Sequence, residues 1–211
     1  VLVFWLALLV LPRVAATVVA MLFAVHPVHV EAVGNVVGQA ELWSALFVVG
    51  ATALYLRERR DGLPMRAGPA TAIAALYFVG MFFKEHVIVL PAIIACAELT
   101  VVRDPRPWRE RLDETTSLLV KFALLAAMFL AIRTTVLSDV AGDTPHPALQ
   151  HLTASQRAVV MLGLVPEFGR LLLWPARLYA DYSPQLVHVH TSWHPELIPG
   201  ILFLVCTALL A

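Results

Sequence analysis

Hydrophobic residues in this chain come in long runs, not at alternating or scattered positions. Apolar stretches fill 1–11, 14–25, 42–56, 70–83, 87–102, 117–132 and 197–211, with short polar clusters between them. Stretches of that length, apolar all round, predict helices that meet hydrocarbon or other helices on every side. Their succession predicts an all-α fold, a polytopic transmembrane helical bundle. Hydrophobic segments recur to the end of the chain, so the first 25 residues do not read as a signal peptide.

Composition agrees. The 211 residues are 60% hydrophobic and only 14% charged, whereas soluble domains carry about a quarter charged residues. The formal net charge is zero, which removes the bulk electrostatic case for a nucleic-acid partner. Cys96 and Cys206 both lie in apolar runs and read as small core residues. No repeats or linkers are visible, so residues 1–211 read as a single membrane domain. The chain begins at Val1 and ends inside an apolar run, and is expected to be a fragment, truncated at both ends.

Arginines orient the bundle. LRERRDGLPMR holds Arg57, Arg59, Arg60 and Arg66, and VRDPRPWRER holds Arg103, Arg106, Arg109 and Arg111. Each cluster follows an apolar run, so the positive-inside rule places both loops in the cytoplasm, with two spans between them. HPVHVE (26–31), KEH (84–86) and residues 138–157 then face outward. The runs 70–83 and 87–102 rise only about 21 and 24 Å, against a hydrocarbon core of about 30 Å. Lys84, Glu85 and His86 should therefore sit below the outer surface, as should His26. Ionisable groups at that depth normally face protein or a wet cavity, so the two clusters are expected to share one outward pocket. Residues 156–176 read as a helix whose apolar face is interrupted by Gly163, Pro166, Glu167, Gly169 and Arg170, and are expected to lie along or dip into the outer surface.

Each polar residue also has a plain structural role open to it. In a helix starting near Val28, Glu31, Asn35 and Gln39 would line one face. Glu31 is a candidate acid, base or ligand, while Asn35 and Gln39 also suit interhelical hydrogen bonds. Gly34 and Gly38 form a small-xxx-small pair that permits close helix approach. His26, His29 and His86 are weak candidates for a divalent metal, and a histidine at a helix end more often caps it. Lys84 can neutralise Glu85, or meet an anionic headgroup. Arg170 can join it or simply snorkel. Asp181 and Tyr182 open a turn, and His188, His190 and His194 read as solvated.

Three stretches carry a resemblance. LFAVHPVHVEAVGNVVGQAEL, FFKEHVIVLP and RLLLWPARLYADYSP, in that order across about residues 15 to 200, resemble segments of the transmembrane and tetratricopeptide-repeat (TMTC-type) protein O-mannosyltransferases and their bacterial relatives. The resemblance implies a GT-C-like membrane glycosyltransferase, with tetratricopeptide repeats C-terminal to this region. It implies transfer of a sugar, mannose first, from a polyprenyl-phosphate donor to Ser or Thr of an acceptor protein. That chemistry would occur on the periplasmic, lumenal or extracellular face of a bacterial inner membrane or ER-like membrane. Val30 and Gln39 depart from the family pattern, which has Thr before the Glu and Gly-Arg after it. The main catalytic acid of such enzymes is expected in an earlier outer loop, which leaves Glu31 an assisting role and this fragment inactive alone. His26, His29, Gln39, Glu41, Lys84, Glu85, His86, Arg170, Asp181 and Tyr182 are the expected substrate-binding set. Two rivals are a transporter or flippase of a lipid-linked sugar, and an inactive membrane anchor for protein-binding repeats.

Overall fold

The computed structural model describes residues 1–137, 151–176, 178 and 190–210. Contacts group the chain into two compact units, Val1–Val140 and Ala141–Ala211, where the apolar pattern reads as one membrane domain. Regular structure among the described residues is entirely helical.

In the first unit the helices are α1 (Leu2–Leu8), α2 (Arg13–Val25), α3 (Val30–Gly34), α4 (Gln39–Arg59), α5 (Ala67–Phe83), α6 (Leu90–Thr100) and α7 (Trp108–Leu137). All six apolar runs before residue 133 are thus helical. Both α4 and α7 are long and apolar enough to cross a membrane. A third candidate is α2 joined to residues Pro27–Gly34, bent by 46°. Helix α2 stops where its sequence demands it. A residue preceding proline is disfavoured in the α region, and His26 takes φ −67°, ψ 123°.

One expected helix is broken. Asn35 is extended at φ −111°, ψ 130°, and a short 3₁₀ turn, Val36–Gly38, leads into α4. Glu31, Asn35 and Gln39 therefore do not form a continuous helical stripe. Gly34 and Gly38 do not form one packing face either. A side chain on Gly38 would meet the Ala32 carbonyl oxygen at 2.6 Å, while Gly34 has nothing within 4 Å. Gly38 is small because the chain folds back onto α3. A second correction concerns Cys96, which lies on an exposed face of α6 and not in the core.

Helices α4, α5, α6 and α7 enclose the core, with Tyr55, Ile73, Tyr77, Met81, Leu90, Ile94 and Phe122 almost wholly buried. At one end this core carries charge. Glu98 is fully buried, and its carboxylate accepts from Arg59 Nη2 at 2.7 Å, Arg111 Nε at 3.2 Å and the Tyr55 hydroxyl at 2.7 Å. Arg59 Nη2 also reaches Asp104 at 3.3 Å, and Arg111 donates to the Glu98 and Val102 carbonyls. Arg106 clasps Asp104 and donates to the Gly62 carbonyl at 3.1 Å. Gly62 turns the chain there with φ +68°, a region glycine enters without strain. The two arginine loops thus meet at one end of the unit. Arg106 holds the Asp104 carboxyl well below the usual carboxylate range, through side-chain and backbone hydrogen bonds. That contribution is present above the ordinary carboxylate value and is lost only as pH falls through the depressed one.

The second unit contains α8 (Ala154–Leu173) and α9 (Ile198–Leu210). Thr153 and Gln156 form a reciprocal capping box at the start of α8, a pairing that satisfies two otherwise unpaired N–H groups. The residues that interrupt its apolar face, Gly163, Pro166, Glu167, Gly169 and Arg170, lie within one helix. Pro166 lies within the helix and cannot donate to the Leu162 carbonyl. Gly200 of α9 packs there, so close that a side chain on it would lie 2.5 Å from that oxygen. Gly163 and Gly169 likewise face Leu197 and Phe203. His190 and His194, expected to be solvated, stack on each other at 4.1 Å and are half-buried.

Removing the Glu98 carboxylate would leave two buried guanidinium groups without their main counter-charge. Glu98→Ala should lower stability by about 3–5 kcal/mol, and Glu98→Gln by less, read as thermal unfolding of the purified protein in detergent. An alanine variant as stable as wild type would show that the buried cluster does not hold this end together.

Candidate functional site

The opposite end of the first unit is built from the first turn of α4 and the link between α5 and α6. Helix α5 closes at Phe83, and a 3₁₀ turn, Glu85–Val89, leads directly into α6. Lys84 between them is extended, at φ −156° and ψ 130°. Extended backbone sends successive side chains to opposite sides, so Lys84 and Glu85 part company. Lys84 Nζ lies 2.7 Å from Glu41 Oε1, whereas Glu85 approaches Arg133 of α7 at 3.6 Å. The neutral Lys84–Glu85 pair that the sequence allows is not formed.

Aromatic packing sets this geometry. Phe83 stacks against Trp43 and Phe47 of α4, with ring centroids 5.7 and 5.3 Å apart. A side chain on Gly80 would lie 3.0 Å from Phe47 and 3.1 Å from Val87. Glycine there lets α4 approach α5 closely enough for Glu41 to reach Lys84.

Glu41 has a second neighbour. Its Oε2 lies 3.5 Å from His86 Nδ1, and His86 Nε2 lies 2.9 Å from Ser44 Oγ. The order serine, histidine, carboxylate is that of a nucleophilic triad, but Ser44 is fully buried. Its hydroxyl donates to the Glu41 carbonyl at 2.9 Å, leaving the oxygen to accept from the imidazole. Ser44 therefore orients His86 and is not a nucleophile.

Lys84 and Glu41 are each about two-fifths exposed, so the pair is open to solvent on one side. The hydrogen bond to Glu41, with the carboxylates of Glu41 and Glu85, raises the Lys84 pKa above the ordinary lysine value against some desolvation. Lys84 thus stays an ammonium with three donors, of which Glu41 occupies one.

The other expected site residues are placed as follows. His26 Nδ1 accepts from the Val28 N–H at 3.3 Å and caps the turn. His29 packs on Phe23 at 4.4 Å. Both line an open groove of about 310 Å³ with Val30 and Val33, and the described contacts do not join that groove to Lys84. Glu31 lies in α3, with its side chain outside the described residues, and Gln39 is exposed at the start of α4. In the second unit Arg170 Nε bonds Glu167 at 2.8 Å. Asp181 and Tyr182 lie outside the described residues, as does His188, which reads as solvated. Among the described residues no group of three His, Cys, Asp or Glu side chains can hold a metal ion. Ser44 and Arg133 were not anticipated from the sequence, although Ser44 follows Glu41 by three residues and so shares its helix face.

Comparison with known proteins finds relatives for this chain. It is 40% identical over 96 residues to "Protein O-mannosyl-transferase Tmtc3" of Drosophila melanogaster, covering 44% of this chain and 10% of that protein. It is 33% identical over 95 residues to "Protein O-mannosyl-transferase TMTC3" of Homo sapiens, with 45% and 10% covered. A longer match, 28% identical over 214 residues, is to "Protein O-mannosyl-transferase Tmtc1" of Drosophila melanogaster and covers 91% of this chain and 24% of that protein. The matched region thus spans a tenth to a quarter of these relatives' length. No family model matches, and no solved structure does.

The Lys84 pairing is testable by titration. A raised pKa adds stability that is fully present below the ordinary lysine value and is lost as pH rises through the raised one. Glu41→Gln should move the Lys84 titration down toward the ordinary value, followed by NMR of isotope-labelled methylated lysines. An unchanged titration would refute the pair.

Proposed function

Since this chain is related by sequence to the TMTC-type protein O-mannosyl-transferases, we propose that it forms part of a membrane glycosyltransferase. The donor is a sugar, mannose first, carried on a polyprenyl phosphate, and the acceptor is a Ser or Thr hydroxyl of a protein. The observation that carries this reading is the half-exposed Lys84 ammonium, held by Glu41 at the end of the bundle away from the arginine loops. By the positive-inside rule those loops face the cytoplasm, which puts Lys84 on the periplasmic, lumenal or extracellular side.

In the transfer step the acceptor oxygen bonds to the anomeric carbon while the bond from that carbon to the phosphate oxygen breaks. The electron pair leaves with the polyprenyl phosphate, and the hydroxyl proton goes to a carboxylate. Lys84 stabilises the negative charge that develops on the departing phosphate. Glu41 aims Lys84 and leaves two of its donors for the phosphate oxygens, and His86, steadied by Ser44, presents an imidazole beside them. Glu31 assists as a carboxylate near the acceptor. Divalent metal remains part of the proposal only as a diffusible partner of the phosphate.

The test is transfer of labelled mannose from a polyprenyl-phosphate donor to Ser/Thr peptides by the full-length protein in membranes. Lys84→Ala should reduce transfer by about tenfold or more with the fold intact, and Lys84→Arg should restore part of it. Glu31→Gln should fall by a similar factor. Wild-type rates in both Lys84→Ala and Glu31→Gln would reject this site. No transfer from any sugar donor would reject the enzyme and favour the transporter or anchor.

A further inference from the structure

The two arginine loops contain eight arginines, and six of them are engaged. Arg59 and Arg111 meet Glu98, Arg106 meets Asp104, and Arg57 and Arg66 meet Glu58. Arg109 lies over the Trp108 ring at 5.3 Å. Arg60 and Arg103 make no hydrogen bond or ion pair among the described residues. They come from different loops, yet both line one cavity of about 670 Å³ between the α1–α2 turn and the ends of α4 and α6.

Both side chains are exposed, and what sets them apart is this convergence on one cavity. Glu58, Glu98 and Asp104 are already committed to other arginines, and one carboxylate lines the cavity itself. That acid, Asp61, leaves the lining side chains with a formal charge of +1. The volume lies in the range of small-ligand sites. Leu56 forms part of the wall, and Val10 and Leu11, both exposed, line it as well. The cavity opens where α4, a candidate membrane span, ends at Arg59. Cation and apolar surface at the rim of a membrane helix match a phosphate group attached to acyl chains.

We propose that this cavity holds the phosphate headgroup of an anionic phospholipid, with Arg60 and Arg103 as its two ligands. The occupant is an inner-leaflet lipid, an assignment that rests on the sidedness adopted above. The site lies at the opposite end of the bundle from Lys84, so the headgroup is a bound structural lipid and not the sugar donor. Guanidinium groups suit it because they present paired donors to phosphate oxygens.

The test uses full-length, delipidated protein in detergent, with bound lipids counted by native mass spectrometry. Phosphatidylglycerol should be retained over phosphatidylcholine. Arg60→Gln and Arg103→Gln should each lower that preference about fivefold, while Arg57→Gln and Arg66→Gln, each with the same loss of one charge outside the cavity, should keep it. Absence of preference in wild type, or equal loss in both pairs, would overturn the site. Displacement of the lipid by glycerol 3-phosphate alone would assign the cavity to a soluble phosphate instead. In sealed membrane vesicles, impermeant thiol labelling of Arg103→Cys in an otherwise cysteine-free full-length protein should occur only from the inner side; labelling from outside would overturn the leaflet. Mannose transfer on the same preparations separates the readings. Lost lipid preference with transfer intact bears on this cavity, and lost transfer with preference intact bears on the proposed enzyme.

Discussion

The first unit depends on a carboxylate placed where water cannot reach it. Glu98 is fully buried between two guanidinium groups and a tyrosine hydroxyl. Three helices supply the cluster: Tyr55 and Arg59 from α4, Glu98 from α6 and Arg111 from α7. A charge buried this way is tolerable only if its partners are fixed, so the cluster sets how the three helix ends meet. Among the described residues no buried side-chain nitrogen or oxygen lacks a hydrogen-bond partner. Apolar packing alone would leave the helices free to slide and rotate, whereas hydrogen bonds to one carboxylate specify a register.

That register carries to the other end of the bundle. Helix α4 runs from the charged cluster at Arg59 back to Glu41. Along it Phe47 packs into the space that Gly80 leaves, and the Phe83 ring locks α5 against Trp43 and Phe47. The distance between Glu41 and Lys84 thus follows from helix packing more than from the two side chains. An ion pair this exposed is worth only about 0.5 kcal/mol in water. The scaffold positions the pair, and the pair does little for the scaffold.

Much of the architecture was legible in the sequence. Apolar runs located the helices, because a bilayer demands continuous hydrophobic length and internally satisfied backbone. Arginine clustering brought the two loops to one end. Glu41, Lys84 and His86 stood out because charge in an apolar chain is costly, but their pairing did not. Lys84 is adjacent to Glu85 in sequence and bonded to Glu41 in space, since the direction of its side chain follows from extended backbone that no pattern announced. The break at Asn35 was hidden for a similar reason. Period alone extends a helix through Gly34 and Gly38, and only the contact of Gly38 with Ala32 shows that the chain folds back. Glu98 carries a signal of its own in the sequence, an acid inside the apolar run from 87 to 102.

The broken segment between α2 and α4 has a thermodynamic consequence. None of the described side chains from His26 to Gly38 is fully buried, in contrast to the closed core one turn further along α4. Local opening free energy follows the buried surface and hydrogen bonds that must be given up. This stretch buries less side-chain surface than the four-helix core. By that measure, less holds the segment between α2 and α4 in place than holds the four-helix core.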